Sequence, residues 1–269
     1  MSTLTVTIIQ TDLKWEDKTA NLRNLEEKIF SIRENTELVV LPEMFSTGFS
    51  MNPEKLAEDM EGPTTTWMRD VAARKRIILT GSIIIKEGED YFNRLIWMLP
   101  NGSYGYYDKR HRFAFAGEDE HYTAGHKRLL TSVKGWKILP LVCYDLRFPV
   151  WSRQTPAPGP DSGDPQLEYD ILLYVANWPE RRSLAWKTLL RARAIENQAY
   201  VIGVNRVGHD GNKIHHSGDS MIIDPLGEIL YEKANTEDVH TLTLRKESLT
   251  EVRGRFPFWR DADHFSIQS

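Results

Sequence analysis

Leu4, Val6 and Ile8 alternate with Thr5 and Thr7, a period of two that predicts a strand with one face more apolar than the other. Over residues 17–34 the spacing changes. Leu22, Leu25, Ile29 and Ile32 step by 3, 4 and 3, which lays one apolar stripe along a helix. The run Leu38-Val39-Val40-Leu41 then reads as a short buried strand, completing a βαβ unit whose crossover is expected to be right-handed. Trp67, Met68, Val71 and Ala72 mark a second amphipathic helix. Two strands over 77–85 and 92–99 follow, separated by Lys86-Glu87-Gly88-Glu89-Asp90. Pro100-Asn101-Gly102-Ser103 predicts a hairpin turn, favoured because both central residues can take positive φ, with a return strand over 104–108. A buried strand is expected over 136–144. A second βαβ unit follows: a strand over 171–176, a helix over 183–198 capped by Ser183, and a strand over 200–205. Met221 to Gly227 followed by Ile229-Leu230-Tyr231 reads as a closing hairpin, and 240–244 as a last alternating strand. Between the two halves, residues 154–168 hold four prolines, two glycines and three acids, a composition that resists helix and central strand, so a surface loop is expected there.

These elements spell an α/β fold, and the length of 269 residues suits one large domain covering 1–269. Hydrophobic residues at 41% and charged residues at 27% exclude a disordered or low-complexity chain. The 34 Lys and Arg against 38 Asp and Glu leave a formal net charge of −4, unsuited to neutralising phosphates, so neither nucleic acid nor an anionic membrane is an expected partner. No apolar run approaches the ~20 residues of a transmembrane helix, and the first residues lack a basic segment, which sets the expectation of a cytoplasmic protein. The single cysteine, Cys143, has no partner for an intramolecular disulfide, so any special role for it is that of a nucleophile. The eight histidines form no His-Glu-x-x-His pair, and no zinc site is expected.

Three residues that carry chemistry each end an expected buried strand. Glu43 follows Leu38 to Pro42, a carboxylate at the mouth of an apolar strand, where desolvation suits it to proton transfer. Lys109 follows Tyr106-Tyr107-Asp108, and Cys143 stands at the carboxyl end of its strand, where ligand sites of α/β sheets gather. Taken singly, each has an ordinary reading: a solvated strand-end glutamate, a basic surface run, a small core cysteine. Together they supply a base, a cation and a thiol. Their surroundings, Pro42-Glu43 with Gly48-Phe49, Tyr107-Asp108-Lys109-Arg110-His111, and Cys143-Tyr144-Asp145-Leu146-Arg147-Phe148-Pro149, resemble the signatures of the nitrilase superfamily of carbon–nitrogen hydrolases. The resemblance extends over almost the whole chain, through Asn177-Trp178-Pro179, Asn205-Arg206-Val207-Gly208 and Asp224-Pro225-Leu226-Gly227.

That resemblance implies a four-layer α-β-β-α sandwich and a homodimer in which two sandwiches stack. It implies Glu43 as general base, Lys109 as the cation that stabilises the oxyanion, Cys143 as nucleophile, and no metal or cofactor. A fourth position, a glutamate seven residues before a glycine, falls on Glu118 with Gly125 as its marker, and Glu120 competes for the role. The backbone N–H of Tyr144 is expected as a second oxyanion donor, and Trp178 is expected to overhang the pocket. The pattern looks most like bacterial omega-amidases, which implies a small-molecule amide substrate such as 2-oxoglutaramate or 2-oxosuccinamate. Arg181 and Arg182 are then placed to meet its far carboxylate, with backbone N–H groups near Phe45 or a residue of the 154–168 loop as the alternative. An N-carbamoyl amide hydrolase or a nitrilase on the same residues, and a non-catalytic scaffold, are the competing functions.

Overall fold

The computed structural model describes residues 2–154, 156, 166–263 and 265–267. Its strands are β1 (Thr3–Gln10), β2 (Leu38–Val40), β3 (Ile78–Glu87), β4 (Asp90–Met98), β5 (Tyr104–Asp108), β6 (Thr131–Val133), β7 (Trp136–Val142), β8 (Ile171–Ala176), β9 (Tyr200–Asn205), β10 (Val207–His209), β11 (His215–Ile223), β12 (Ile229–Ala234) and β13 (Asp238–Arg245). The helices are α1 (Lys18–Ser31), α2 (Pro53–Leu56), α3 (Pro63–Lys75), α4 (Glu118–His121), α5 (Pro149–Ser152), α6 (Ser183–Asn197) and α7 (Lys246–Arg255). One sheet runs β13-β1-β2-β3-β4-β5, the other β10-β11-β9-β8-β7-β6, with β12 on β11. At each centre the strands are parallel, β1-β2-β3 and β7-β8-β9, so their carboxyl ends share an edge within each sheet.

The two sheets face each other across an apolar layer in which Leu4, Val6, Leu95 and Trp97 of the first meet Trp136, Ile138, Ile171 and Leu173 of the second. On the outer face of the first sheet, Leu25 and Ile29 of α1 and Met68, Val71 and Ala72 of α3 cover Val39, Leu79 and Ile96. On the outer face of the second, Trp186 and Leu190 of α6 lie so close to Gly203 that a Cβ there would stand 2.5 Å from Leu190 Cδ1. The layers are therefore helix, sheet, sheet, helix, the expected sandwich. Each fully buried Leu or Ile in these layers contributes roughly 1.5–3 kcal/mol. No helix among the described residues is long and apolar enough to cross a membrane.

Local details depart from the sequence reading for identifiable reasons. The loop between β3 and β4 shrinks to Gly88-Glu89, because Lys86 and Glu87 pair with Tyr91 and Asp90 once Gly88 takes φ +62°. At the next turn only Gly102 has positive φ, at +84°, while the Asn101 side chain accepts the Ser103 N–H at 3.0 Å. Ser183 does not cap α6; its hydroxyl donates to Asp219 at 2.7 Å. The short β6 and β10 and the helix α7 carry too few periodic positions to announce themselves. Of the expected 154–168 loop, residue 155 and residues 157–165 lie outside the described residues.

Candidate active site

Glu43 lies just beyond β2, where Met44 turns the chain at φ +42° and the apolar strand ends against Leu41 and Pro42. The turn sends the Glu43 side chain inward, and it is fully buried. Lys109 follows β5, its N–H held by the Asn93 carbonyl at 3.0 Å and its own carbonyl by the Gly125 N–H at 3.0 Å. Gly125 has to be glycine: an added Cβ would lie 2.0 Å from the Asp108 carbonyl oxygen. Cys143 begins the 3-10 turn Cys143–Arg147 that ends β7, with φ +43°. A left-handed backbone at a non-glycine residue is costly and persists only where its surroundings enforce it.

Asp145 enforces it here. One carboxylate oxygen accepts the Val142 N–H at 3.0 Å and the Tyr107 hydroxyl at 2.7 Å. The other accepts the His111 N–H at 3.0 Å and pairs with His111 Nδ1 at 2.7 Å. The His111 ring stacks on Phe148 with centroids 3.8 Å apart. Tyr107, His111 and Asp145 thus clamp the lysine-bearing segment to the cysteine turn, a physical reason for the spacing of both sequence signatures.

At the centre, Lys109 Nζ stands 3.0 Å from Glu43 Oε1, and 2.9 and 2.8 Å from the two oxygens of Glu118. Burial opposes charge on the lysine, but Glu118 and then Glu43 outweigh it and hold its pKa above the ordinary range, so the ammonium persists. Burial pushes Glu118 up, against the pull of Lys109. The Cys143 thiol is pushed well above its ordinary range, first by burial and then by the Glu43 charge. A neutral thiol that is to act as a nucleophile needs a base to take its proton.

The two glutamates in contention separate cleanly. On the single turn α4, Glu118 is buried and faces Lys109, whereas Glu120 is exposed. Glu118→Gln is expected to lower kcat by about 10²-fold, the scale of one preorganised electrostatic group. Glu120→Gln should stay within about twofold, as for a surface substitution. Steady-state ammonia release from both variants checks the contrast.

The thiol opens into a cavity of about 290 Å³. Tyr144, Trp178, Arg181 and Arg182 line it. Phe45 does not. It is fully buried under α3 with its ring 5.9 Å from Trp67, and its N–H is taken by Ser82 O, while the neighbouring Met44 N–H is taken by Ser82 Oγ. The turn at Met44 drives Phe45 to the helix side of the first sheet, so Phe49 takes the place at the pocket, with Lys109 Nζ 5.1 Å from its ring. Sequence reasoning also missed Arg147, whose guanidinium lies 5.0 Å from the Trp178 ring and lines the cavity. Arg182 lies over Phe113 at 4.9 Å, and burial, then Arg181, lowers its pKa. Among the described residues, Arg147, Arg181 and Arg182 form no ion pair with a carboxylate. Asn93 and Asn177 were missed as well: the Asn177 N–H donates to Glu43 Oε2 at 2.8 Å, and Asn93 Nδ2 to Glu43 Oε1 at 2.8 Å. The signal for Asn93 was a polar residue inside the apolar run of β4. No group of three or more His, Cys, Asp or Glu among the described residues is placed to hold a metal ion.

The sequence profile of the carbon–nitrogen hydrolase family matches residues 5–254. The chain is a carbon–nitrogen hydrolase. It is 44% identical to omega-amidase YafV of Escherichia coli (strain K12), over 99% of this chain and 100% of that one. It is 29% identical to the 2-oxoglutaramate amidase of Bacillus subtilis (strain 168), over 96% of each. A crystal structure of a CN-hydrolase superfamily protein from Xanthomonas campestris, carrying an arsenic adduct in its active site, superposes with a TM-score of 0.94 at 45% identity, covering both chains fully. The hydrolase therefore belongs to the nitrilase superfamily and is an enzyme acting on amides, which sets aside the non-catalytic scaffold.

Proposed function

We propose that the hydrolase is an omega-amidase that cleaves the carboxamide of a dicarboxylic monoamide, 2-oxoglutaramate or 2-oxosuccinamate, through a thioester on Cys143. As Sγ attacks the amide carbon, its proton passes to Glu43 Oε2. The oxyanion that forms is met by Lys109 Nζ and the Tyr144 backbone N–H, donors worth about 3–4 kcal/mol each in comparable sites. The tetrahedral intermediate collapses, the C–N bond breaks, and Glu43 returns the proton to the leaving nitrogen as ammonia departs. Glu43 then takes a proton from water, whose oxygen attacks the thioester, and the carboxylic acid leaves as the thiol re-forms. Glu118 holds Lys109 in place throughout. The names of the Escherichia coli and Bacillus subtilis relatives support the substrate class.

The observation that carries the choice of substrate is the cationic wall. A carboxylate inside a pocket that excludes water must find a cation, and Arg147, Arg181 and Arg182 present three guanidinium groups without carboxylate partners among the described residues. Dicarboxylic monoamides should therefore outrun chain-matched neutral amides. Substituting the responsible arginine among Arg147→Met, Arg181→Met and Arg182→Met should cut that preference by at least about tenfold, as for removing one partner of a buried charge pair, and leave the neutral amide's rate in place. Ammonia release across amides, carbamoyl acids and nitriles tests it. Carbon dioxide released with the ammonia from carbamoyl acids, or faster turnover of nitriles, would replace the reading with one of its competitors.

The same reading includes a cytoplasmic homodimer and a single domain over 1–269. Leu184 and Ile195 on α6 are 80% and 52% exposed, an apolar face suited to a second copy. Sedimentation at micromolar concentration should return twice the chain mass.

A further inference from the structure

The Glu43 and Glu118 carboxylates together offer about eight lone-pair sites. Glu118 has all of its sites taken: Oε1 by Lys109 Nζ at 2.9 Å and Asn93 Nδ2 at 3.2 Å, Oε2 by Lys109 Nζ at 2.8 Å and the Phe113 N–H. Glu43 has three taken: Oε1 by Lys109 Nζ at 3.0 Å and Asn93 Nδ2 at 2.8 Å, Oε2 by the Asn177 N–H at 2.8 Å. One site is left, on Oε2, and in the proposed mechanism it takes the thiol proton.

We propose that Asn93 is a positioning residue that leaves Glu43 Oε2 as the only open proton acceptor of the site. Its Nδ2 and Lys109 Nζ each donate to both Oε1 atoms, closing a ring of two carboxylate oxygens and two donors. Two buried carboxylates without such donors share a proton, as paired acids do. A proton held between Glu43 and Glu118 would disable Glu43 as the base for Cys143. Asn93 prevents this as a neutral group that can only donate through Nδ2, so it stabilises both anions and adds no charge. Its other end shows what this placement costs. Asn93 Oδ1 is buried with no hydrogen-bond partner among the described residues, and Asn93 as a whole is only 2% exposed. Buried unpaired acceptors are disfavoured, so this amide is kept for what its nitrogen does. The position follows from the fold: Asn93 lies on β4 opposite Ile84, and its carbonyl accepts the Lys109 N–H, which sets amide and lysine side by side.

The proposal rests on the reading of Glu43 as base, and the test separates the two. The charged and titratable groups facing Glu43 are Lys109 from the end of β5, Glu118 from α4 and Cys143 from the turn after β7, with Tyr122 beyond Glu118. Asn93→Leu, close in shape, removes both donations, and Asn93→Asp replaces them with a third carboxylate. The acidic limb of kcat/KM against pH should rise by about one unit in the leucine variant and further in the aspartate variant, with KM within about twofold. Near-UV circular dichroism identifies any variant that has not folded, and either variant alone suffices. A limb that stays in the wild-type position while kcat falls equally at every pH would make Asn93 a packing residue only and overturn the proposal, as would wild-type activity. Glu43→Gln is the separate control. If it keeps both turnover and the acidic limb, Glu43 is not the base, and that reading fails whatever Asn93 does.

Discussion

Cys143→Ala is expected to fold normally and to lose at least about 10⁴-fold in kcat, the scale on which loss of a covalent nucleophile disables a comparable site. The side chain is small and 8% exposed, so its removal opens little space, and the turn that carries it is held by Asp145 rather than by sulfur. Iodoacetamide should label the wild type once per chain, at Cys143, with loss of hydrolysis in step. Because burial and Glu43 hold the thiol well above its ordinary range, labelling of the free enzyme should accelerate as pH rises through the alkaline range and fall as the thiol is kept neutral below it. Full hydrolysis by the alanine variant would refute the thiol mechanism.

Lys109→Arg is expected to be nearly as damaging as Lys109→Ala, each by about 10²–10³-fold, mainly in kcat. The ammonium sits 1% exposed with three carboxylate contacts between 2.8 and 3.0 Å. A planar guanidinium cannot occupy that compact point, and its extra length would push against Phe49 or Glu118. The alanine variant also leaves two buried carboxylates uncompensated, which costs several kcal/mol of stability. Thermal melts should therefore rank alanine below arginine even though both are nearly inactive. An arginine variant within a few-fold of wild type would show that only the charge of Lys109 matters.

The framework was legible because it is written in short periods. The alternation of Leu4, Val6 and Ile8 and the 3-4-3 stepping of α1 both survive into the structure, and of the three strand ends Lys109 and Cys143 line one cavity with Glu43 bonded to Lys109 behind it. What was hidden depends on backbone turns and on register across strands. Glu118 and Glu120 are two residues apart on one helical turn, so they face different ways, and sequence alone does not say which faces in. Phe45 was misplaced because the left-handed Met44 reverses the side-chain direction just after Glu43. Arg147 stood inside a recognised signature, yet only the 3-10 turn Cys143–Arg147 brings its guanidinium beside Trp178. Asn93 gains its neighbours from the pairing of β3, β4 and β5, a long-range property with no local mark beyond its polarity.

A covalent acyl-enzyme on Cys143 lies at the heart of the proposed reaction. Acid-quenched single turnover of a dicarboxylic monoamide, followed by mass analysis of the peptide that carries Cys143, tests it most directly. The expected result is a transient mass increase equal to the acyl group, absent in Cys143→Ala. A peptide that stays unmodified while ammonia is released at full rate, even at the shortest quench times and with hydroxylamine trapping no acyl group, would contradict it.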